Sequence, residues 1–473
     1  MKNIIPMTLT KVLTIKNFVR TVLPNVLSLC ILTTSSCSDF VEIDTPTNTL
    51  VAETVFEDAS TVESALANLY YTMREEGMVS GRYGLSALMG IYSDELDYYK
   101  FDPYYLELYH HNVTASNALL SGWWSNAYHL IFATNDIIAG MEDNTNLSLE
   151  DQARFKGEAL FVRAYMHSLL VALYGDIPYI TTTNYATNNT VSRMPLKEVY
   201  EHILADLTES VDLLSNDTTD EKVVPDQSTA KALLARIYLY TENWALAEST
   251  ASKLIDSFNL EPEVQNVFLK ESKETIWQFK PNGISDHNTY EANEFVIQFV
   301  PGQTYALGND LLNTFEPGDL RKVHWTRSLS SADESTSLHF AHKYKALLSQ
   351  TESLEYSIVF RLAEQYLIRA EARAQLGKIN GAKQDLNVIR NRAGLANTTT
   401  ITKDGLLEAI LKERFTELFT EQGHRWFDLQ RTGTAPETLS AIKADWNATD
   451  VLLPIPSTEL EINQNLKPQN PGY

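Results

Sequence analysis

The stretch Arg361–Gly377, RLAEQYLIRAEARAQLG, decides how the rest of the chain is read. Leu362, Tyr366, Ala370 and Ala374 recur four apart and form one stripe of an α-helix. Gly377 breaks the helix, and Asn380 or Gly381 can open the next one. That helix carries Ala382, Leu386, Ile389 and Ala393, and Gly394 behind it tolerates a left-handed turn. Small residues at Ala370 and Ala382 allow the two helices to lie close, as a helical hairpin. A third helix follows toward Arg431.

A second hairpin lies upstream in STAKALLARIYLYTENWALAESTASKLI, from Ser228. There Ala235, Ala247, Ala251 and Leu254 repeat the intervals of Ala370, Ala382, Leu386 and Ile389. Tetratricopeptide helix pairs place small residues at the same spacing. The fold class is therefore mainly α, a stacked-helix scaffold with no central sheet.

The first 36 residues read as a secretory signal. Lys2, Lys11, Lys16 and Arg20 form a basic region without acids, and an apolar run follows from Val22 to Leu32. Thr34, Ser35 and Ser36 then lead to Cys37, the pattern of a bacterial lipoprotein processing site. Cys37 is the expected lipidation site. The only other cysteine, Cys30, lies in the leader, so the mature chain makes no internal disulfide. Residues 37–50 read as a lipidated tether.

The chain carries 38 Lys+Arg against 61 Asp+Glu, a formal charge of −23, and losing the leader's cations takes it to about −27. Such a surface repels nucleic acid, while neutral sugars, peptides and cations remain suitable partners.

Ser60–Arg74 reads as an amphipathic helix capped by Ser60 or Thr61. Residues 80–128 are dense in aromatics. Trp124, Tyr128 and Ile131 keep helical spacing and read as core, whereas Tyr98, Tyr99, Tyr104 and Tyr105 lie among Asp94, Glu95, Asp97, Asp102 and Pro103 with no apolar stripe to bury them. Helices resume in GEALFVRAYMHSLLVALYGDIPY and PLKEVYEHILADLTESVDLL. Residues 258–356 are the least helical part, with apolar alternations at Thr275–Phe279 and Phe295–Val300 that predict short strands, and a second aromatic group including Tyr290, Tyr305 and Trp325. The organisation expected for 51–473 is one unit: scaffold over about 51–260 and 356–431, an irregular insert over about 261–355, and a C-terminal segment at 432–473.

In order along the chain, WWSNAYHLIFATNDII, GEALFVRAYMHSLLVALYGDIPY, STAKALLARIYLY, FRLAEQYLIRAEARAQLGKINGAKQDLNVIRNRAGL, ERFTELFTEQGHRWFDLQR and LLPIPSTELEINQNLKPQNPGY resemble the SusD/RagB family of outer-membrane nutrient-binding lipoproteins. The longer E-Q-G-H-R-W form after Glu413 departs from the E-G-x-R-W of many relatives, as a subfamily variant. The resemblance implies a tetratricopeptide-like superhelix with a smaller irregular region packed on it. It also implies a SusC-type TonB-dependent transporter as partner, and an oligosaccharide, or in one branch a peptide, as ligand.

Glu413, Arg414, Glu417, His424, Arg425, Asp428 and Arg431 read as ion pairs tying the last long helix to its neighbours, as do Glu158 with Arg163 and Glu371 with Arg373. No HExxH, phosphate loop or G-x-S-x-G elbow occurs. Asp94, Glu95, Asp97 and Asp102 are oxygen donors without EF-hand spacing, and His110–His111 stands alone, so whether a metal binds stays open. A pyranose needs an aromatic ring against its C–H face and polar partners for its hydroxyls. The candidate rings are Tyr98, Tyr99, Tyr104, Tyr105, Tyr290 and Trp325, with Asp97, Asn288 and Arg327 as polar partners. The function expected is non-catalytic capture, with no cofactor; the rivals are peptide capture, an exported helical glycoside hydrolase or lyase, and a helical-repeat adaptor.

Overall fold

Alanines set the distance between helices. In the computed structural model, which describes residues 55–216 and 221–473, the two hairpins are Gln227–Tyr240 with Trp244–Ile255 and Leu362–Gln375 with Ile379–Arg392. The leader, Cys37 and the tether lie outside the described residues. Ala235, Ala247, Ala251, Leu254, Ala370, Ala382, Leu386 and Ile389 are all buried, as their spacing predicts. Ala235, Ala247 and Ala251 share one cluster with Ile368 and Ala372, so the first hairpin stacks directly on the second. Gly394 takes φ +76°, the left-handed turn expected there, and Gly377, at the break between the two helices, takes φ +74°.

The third helix, Lys403–Leu418, packs Leu406, Ile410 and Leu418 against Ala363, Leu367, Ala370 and Ala374. On the other side, Leu149–Tyr174 lies against both Ala118–Met141 and Leu196–Leu213, and nearly every residue from Phe155 onward is buried. From Ala159 on, where the helix is enclosed all round, its sequence is largely apolar, and the buried Arg163 and His167 find polar partners. The first helix, Ala59–Glu75, is capped by Asp58, whose carboxylate accepts from the Ser60 amide at 2.8 Å, and not by Ser60 or Thr61.

Strands are short and paired in twos: β1 (Leu96–Tyr98) with β3 (Tyr305–Leu307), β2 (Thr275–Phe279) with β6 (Ser357–Arg361), and β4 (Thr326–Ser330) with β5 (Ser337–Ala341), all antiparallel. Thr275–Phe279 is a strand as expected, but Phe295–Val300 is not. Thr289 accepts from the Ala292 amide at 3.1 Å and starts a helix, Tyr290–Phe295, that consumes the first residue of the alternation.

Charged groups join these parts. Arg361, at the end of β6, contacts Glu274 at 2.9 Å, Glu417 at 2.6 Å and Glu421 at 2.7 Å. Arg392 pairs with Glu274 and Glu417; Arg321 pairs with Asp319, Glu413 and Glu417. Lys343 donates to Glu421 and to the Glu417 carbonyl. Burial alone would raise the Glu417 carboxyl, but Arg392, Arg361 and Arg321 outweigh it and hold the group far below the usual carboxylate range. The charges of the last long helix are therefore structural. Two pairings differ from the sequence reading: Arg163 binds Asp206 at 2.7 Å while Glu158 accepts from Tyr70, and Glu371 binds Arg431 at 2.6 Å while Arg373 binds Glu248 and Asp385. Residues two or five apart on a helix point to different sides, so Arg163, Glu371 and Arg373 find their carboxylates and cations on neighbouring helices.

Replacing Glu417 by Ala leaves Arg361 and Arg392 buried beside an unfilled site. The expected loss is about 3–5 kcal/mol of unfolding free energy, read from denaturant midpoints at constant m-value; a change below about 1 kcal/mol would contradict the role assigned to this network.

Candidate functional site

β1 divides the tyrosines between its two faces, because successive side chains of a strand point to opposite sides. Tyr98 stacks on Tyr105 with centroids 5.4 Å apart and leans on Tyr305 at 5.9 Å. Asp97 points the other way and accepts from the Tyr109 hydroxyl at 3.0 Å, beside Lys443, whose ammonium lies 4.0 Å from the Tyr109 ring. The Tyr99 amide donates to Thr304 at 3.0 Å and extends the β1–β3 pairing, and Lys100 donates to the Gly302 carbonyl. The insert and the early aromatic segment are thus one surface.

The Tyr98–Tyr105 stack is the base of an aromatic strip. Tyr83 and Tyr104 are the more exposed rings near it, and both hang from the start of helix Ala118–Met141. The Trp123 indole donates to the Tyr83 carbonyl at 2.8 Å, and the Asn117 amide, at the helix cap, donates to the Tyr104 carbonyl at 3.0 Å. The Arg82 guanidinium lies 5.8 Å from the Tyr83 ring centroid. Partial burial works against its charge, but Glu294 with Tyr83, Tyr105 and Tyr305 prevails and raises its pKa. Burial, helped by Glu291, pushes the Glu294 carboxyl up against the opposing pull of Arg82.

Helix Tyr290–Phe295 continues the strip. Tyr290 donates to Glu75 and to Asp286 at 3.1 Å, beneath Arg74 at 5.0 Å; Glu291 accepts from Ser80 at 3.0 Å; Glu294 faces Arg82 electrostatically. The arrangement offers aromatic faces with a cation and a carboxyl between them, a combination suited to a ligand with apolar faces and hydroxyl edges.

The sequence candidates therefore separate. Tyr98 and Tyr105 stack on each other, Tyr290 sits against Arg74, Glu75 and Asp286, and Tyr104 is exposed on the helix Pro103–His110. Tyr99 and Asp97 belong to the opposite face of β1. Arg327 is exposed on the β4–β5 hairpin, which packs on β3 through Phe340, Ala306 and Ile297. Trp325 and Asn288 are corrected: both are 0 % exposed. Trp325 donates to the Val264 carbonyl at 2.8 Å and lies under Lys343, Arg361 and Arg392, at 4.9, 5.8 and 5.6 Å. It is the aromatic floor of the ion network. Asn288 accepts from the Leu354 amide at 2.8 Å and donates to the Glu352 carbonyl at 2.8 Å, clamping two loops. Tyr98 and Tyr105, expected as exposed rings, are corrected as well: each retains under a tenth of its surface, because they stack on each other and Tyr305 covers Tyr98.

Arg82, Tyr83 and Glu294, which lie near one another here, are not among the sequence candidates. The signal was present in S-G-R-Y-G, where an Arg–Tyr pair sits between glycines outside any helical stripe. Gly81 there has φ +79°, and a Cβ would lie 2.8 Å from the Arg74 carbonyl.

The possible oxygen donors are otherwise engaged. Asp94 forms a two-point pair with Arg425 at 2.7 and 2.6 Å, Asp102 caps a helix by accepting from the Tyr104 amide, and Glu95 is buried. Among the described residues no three His, Cys, Asp or Glu side chains gather as they would around a metal. His111 is buried and neutral, its pKa lowered to about 3 by burial, with Nε2–H donating to the Tyr92 carbonyl at 2.7 Å.

Residues 44–239 match a family described as "Starch-binding associating with outer membrane", and residues 333–473 match the SusD family. SusD-like protein P2 of Formosa agariphila is 28% identical across 94% of this chain and 98% of its own length. The starch-binding protein SusD of Bacteroides thetaiotaomicron is 35% identical over 126 residues, 24% of this chain and 21% of that protein. Among solved structures, a SusD superfamily protein of Bacteroides vulgatus superposes with a TM-score of 0.79 at 22% identity, covering 88% of this chain and 99% of the other. A laminarin-binding SusD-like protein superposes with a TM-score of 0.76 at 24% identity, again over 88% and 99%. The chain belongs to the SusD/RagB family.

Two predictions follow from the geometry. Trp325→Ala should cost about 3–5 kcal/mol through the lost ring and its cation contacts, whereas Tyr83→Ala should move the unfolding midpoint by less than about 0.5 kcal/mol; equal effects would contradict the division into core and surface. The second concerns pH. Burial, with Asp94 beside it, raises the Glu95 carboxyl to about 8. Between about 4.5 and 8 the folded chain then holds a proton that the unfolded chain has released, so this contribution to stability falls as pH rises across that window. Glu95→Gln, which mimics the protonated form, should flatten the pH dependence there and be the more stable protein at pH 8; parallel profiles for the two proteins would refute it.

Proposed function

We propose that this chain captures an oligosaccharide without altering it, on the strip of Tyr83, Tyr104, Arg82, Glu294 and Tyr290 supported by Tyr98 and Tyr105. It delivers the sugar to a SusC-type TonB-dependent transporter in the outer membrane. Cys37 carries the lipid anchor, at the cell surface. The observation that carries this reading is the pair of exposed tyrosines held by their backbones to one rigid helix, with a guanidinium and a carboxyl beside them. Rings positioned in advance stack on a sugar with little entropy lost on binding. The family description and the relatives whose names refer to starch, laminarin and carbohydrate support the ligand class.

Non-catalytic capture is supported by the carboxylates themselves. Asp94, Glu413, Glu417 and Asp428 each lie in ion pairs with arginines, where a general acid would lose the freedom to exchange its proton.

The test is titration of residues 38–473 with starch-derived and laminarin-derived oligosaccharides and with unrelated peptides, combined with product analysis. Binding of a glycan without cleavage is expected. Tyr83→Ala should weaken it about 5- to 30-fold, equivalent to about 1–2 kcal/mol, with the melting temperature unchanged. Cleavage products would favour the hydrolase reading, and peptide binding alone would favour the peptide branch of the family.

A further inference from the structure

A separate cavity of about 220 Å³ lies between the helix Ala118–Met141, the segment after Leu149–Tyr174, and the C-terminal helix Ser457–Ile462. Its walls include Trp124, Tyr128, Phe132, Tyr185 and Ile462. Trp124 and Tyr128 are fixed with centroids 5.0 Å apart, and Trp124 is braced edge-on by Tyr174 at 5.1 Å. By contrast Tyr185 and Ile462 are 76 % and 73 % exposed, and Phe132 is half exposed. Three large apolar side chains left in water around one opening are unusual on a protein surface and mark a place where something docks.

The hydrogen-bonding inventory states what kind of group would fit. Much of the wall's donor capacity is engaged: the Tyr128 hydroxyl donates to the Pro178 carbonyl at 2.9 Å, one N–H of the Asn188 amide to the Thr182 carbonyl at 2.7 Å, and one of the Asn463 amide to the Val191 carbonyl at 2.8 Å. Acceptors are left over. The Asn188 Oδ1 is buried without a hydrogen-bond partner, and Glu459, the one ionisable carboxyl in the lining, takes a hydrogen bond from Trp124 with capacity to spare. Arg193, which acts electrostatically on Tyr128, is occupied by the Asp176 and Pro468 carbonyls and by Asn470. The exposed Asn189 amide lies at the lining's edge.

A sugar ring brings hydroxyls that need donors as well as acceptors, and these walls would leave part of them unpaired. Ammonium and guanidinium groups only donate, and their alkyl stems favour apolar walls while their charge favours aromatic faces. The net charge of −23 further favours a cation. We propose that this cavity is a socket for a lysine side chain of a partner polypeptide, with the alkyl stem between Tyr185, Phe132 and Ile462 and the ammonium at Glu459. The socket is distinct from the aromatic strip and independent of what that strip binds.

The experiment is ligand-observed NMR titration of the full mature chain with N-acetyl-lysine methylamide, using N-acetyl-norleucine methylamide and methyl glucoside as controls. The lysine amide should bind at least tenfold tighter than the norleucine amide. Glu459→Gln should remove that preference, Tyr185→Ala should weaken lysine binding at least threefold, and Tyr83→Ala should leave it unchanged. Equal affinity for lysine and norleucine amides would make the cavity merely apolar, preferential binding of the glucoside would make it a sugar subsite, and no binding up to 50-fold excess (about 5 mM at typical protein concentrations) would remove the socket; each result overturns the proposal.

Discussion

Glu417 is the point through which the fold is joined. Three guanidiniums reach it from separate parts of the chain: Arg321 from the insert, Arg361 from the end of β6, and Arg392 from the second hairpin. The cost of burying so many charges is offset only if every partner is in place, so the network is satisfied in one arrangement of insert and scaffold. Its contribution is to specificity of assembly as much as to stability. Trp325 and Phe419 complete it by placing ring faces beside Lys343, at 4.9 and 4.0 Å.

That junction explains how an irregular region can hold its side chains in place. Loops of this length would lose too much entropy if ordered only by their own contacts. Here they are held from below by the ion network and from the side by β1–β3, which ties the early aromatic segment to residues 304–307. Helix Tyr290–Phe295 is then pressed against the turn at residues 80–83, and the tyrosines around it gain fixed orientations. The scaffold acts on these tyrosines indirectly: it holds their rings in fixed positions.

The C-terminal segment is integral to the scaffold. Asn470 donates to the carbonyls of Tyr174 and Leu453, linking the end of the chain to the central buried helix. The Q-N-P-G-Y ending that helped to reveal the family is therefore a structural clasp.

Much of this was legible in the residues. Helix positions, the two hairpins and their alanine contacts follow from 3.6-residue periodicity and side-chain size, which are local properties. The role of charged residues near Glu413 as ties was also readable, because buried charge demands a partner. What the chain alone could not reveal was which partner, or which aromatic residue faces water. Trp325 and Tyr83 both lie outside helical stripes, yet one is fully buried and the other exposed. Trp325 is covered because Lys343, Arg361 and Arg392, far apart along the chain, converge on its ring, and Tyr83 is displayed because Trp123 binds its carbonyl rather than its ring. Burial in a loop is a sum over distant neighbours, and only the folded chain brings those neighbours together.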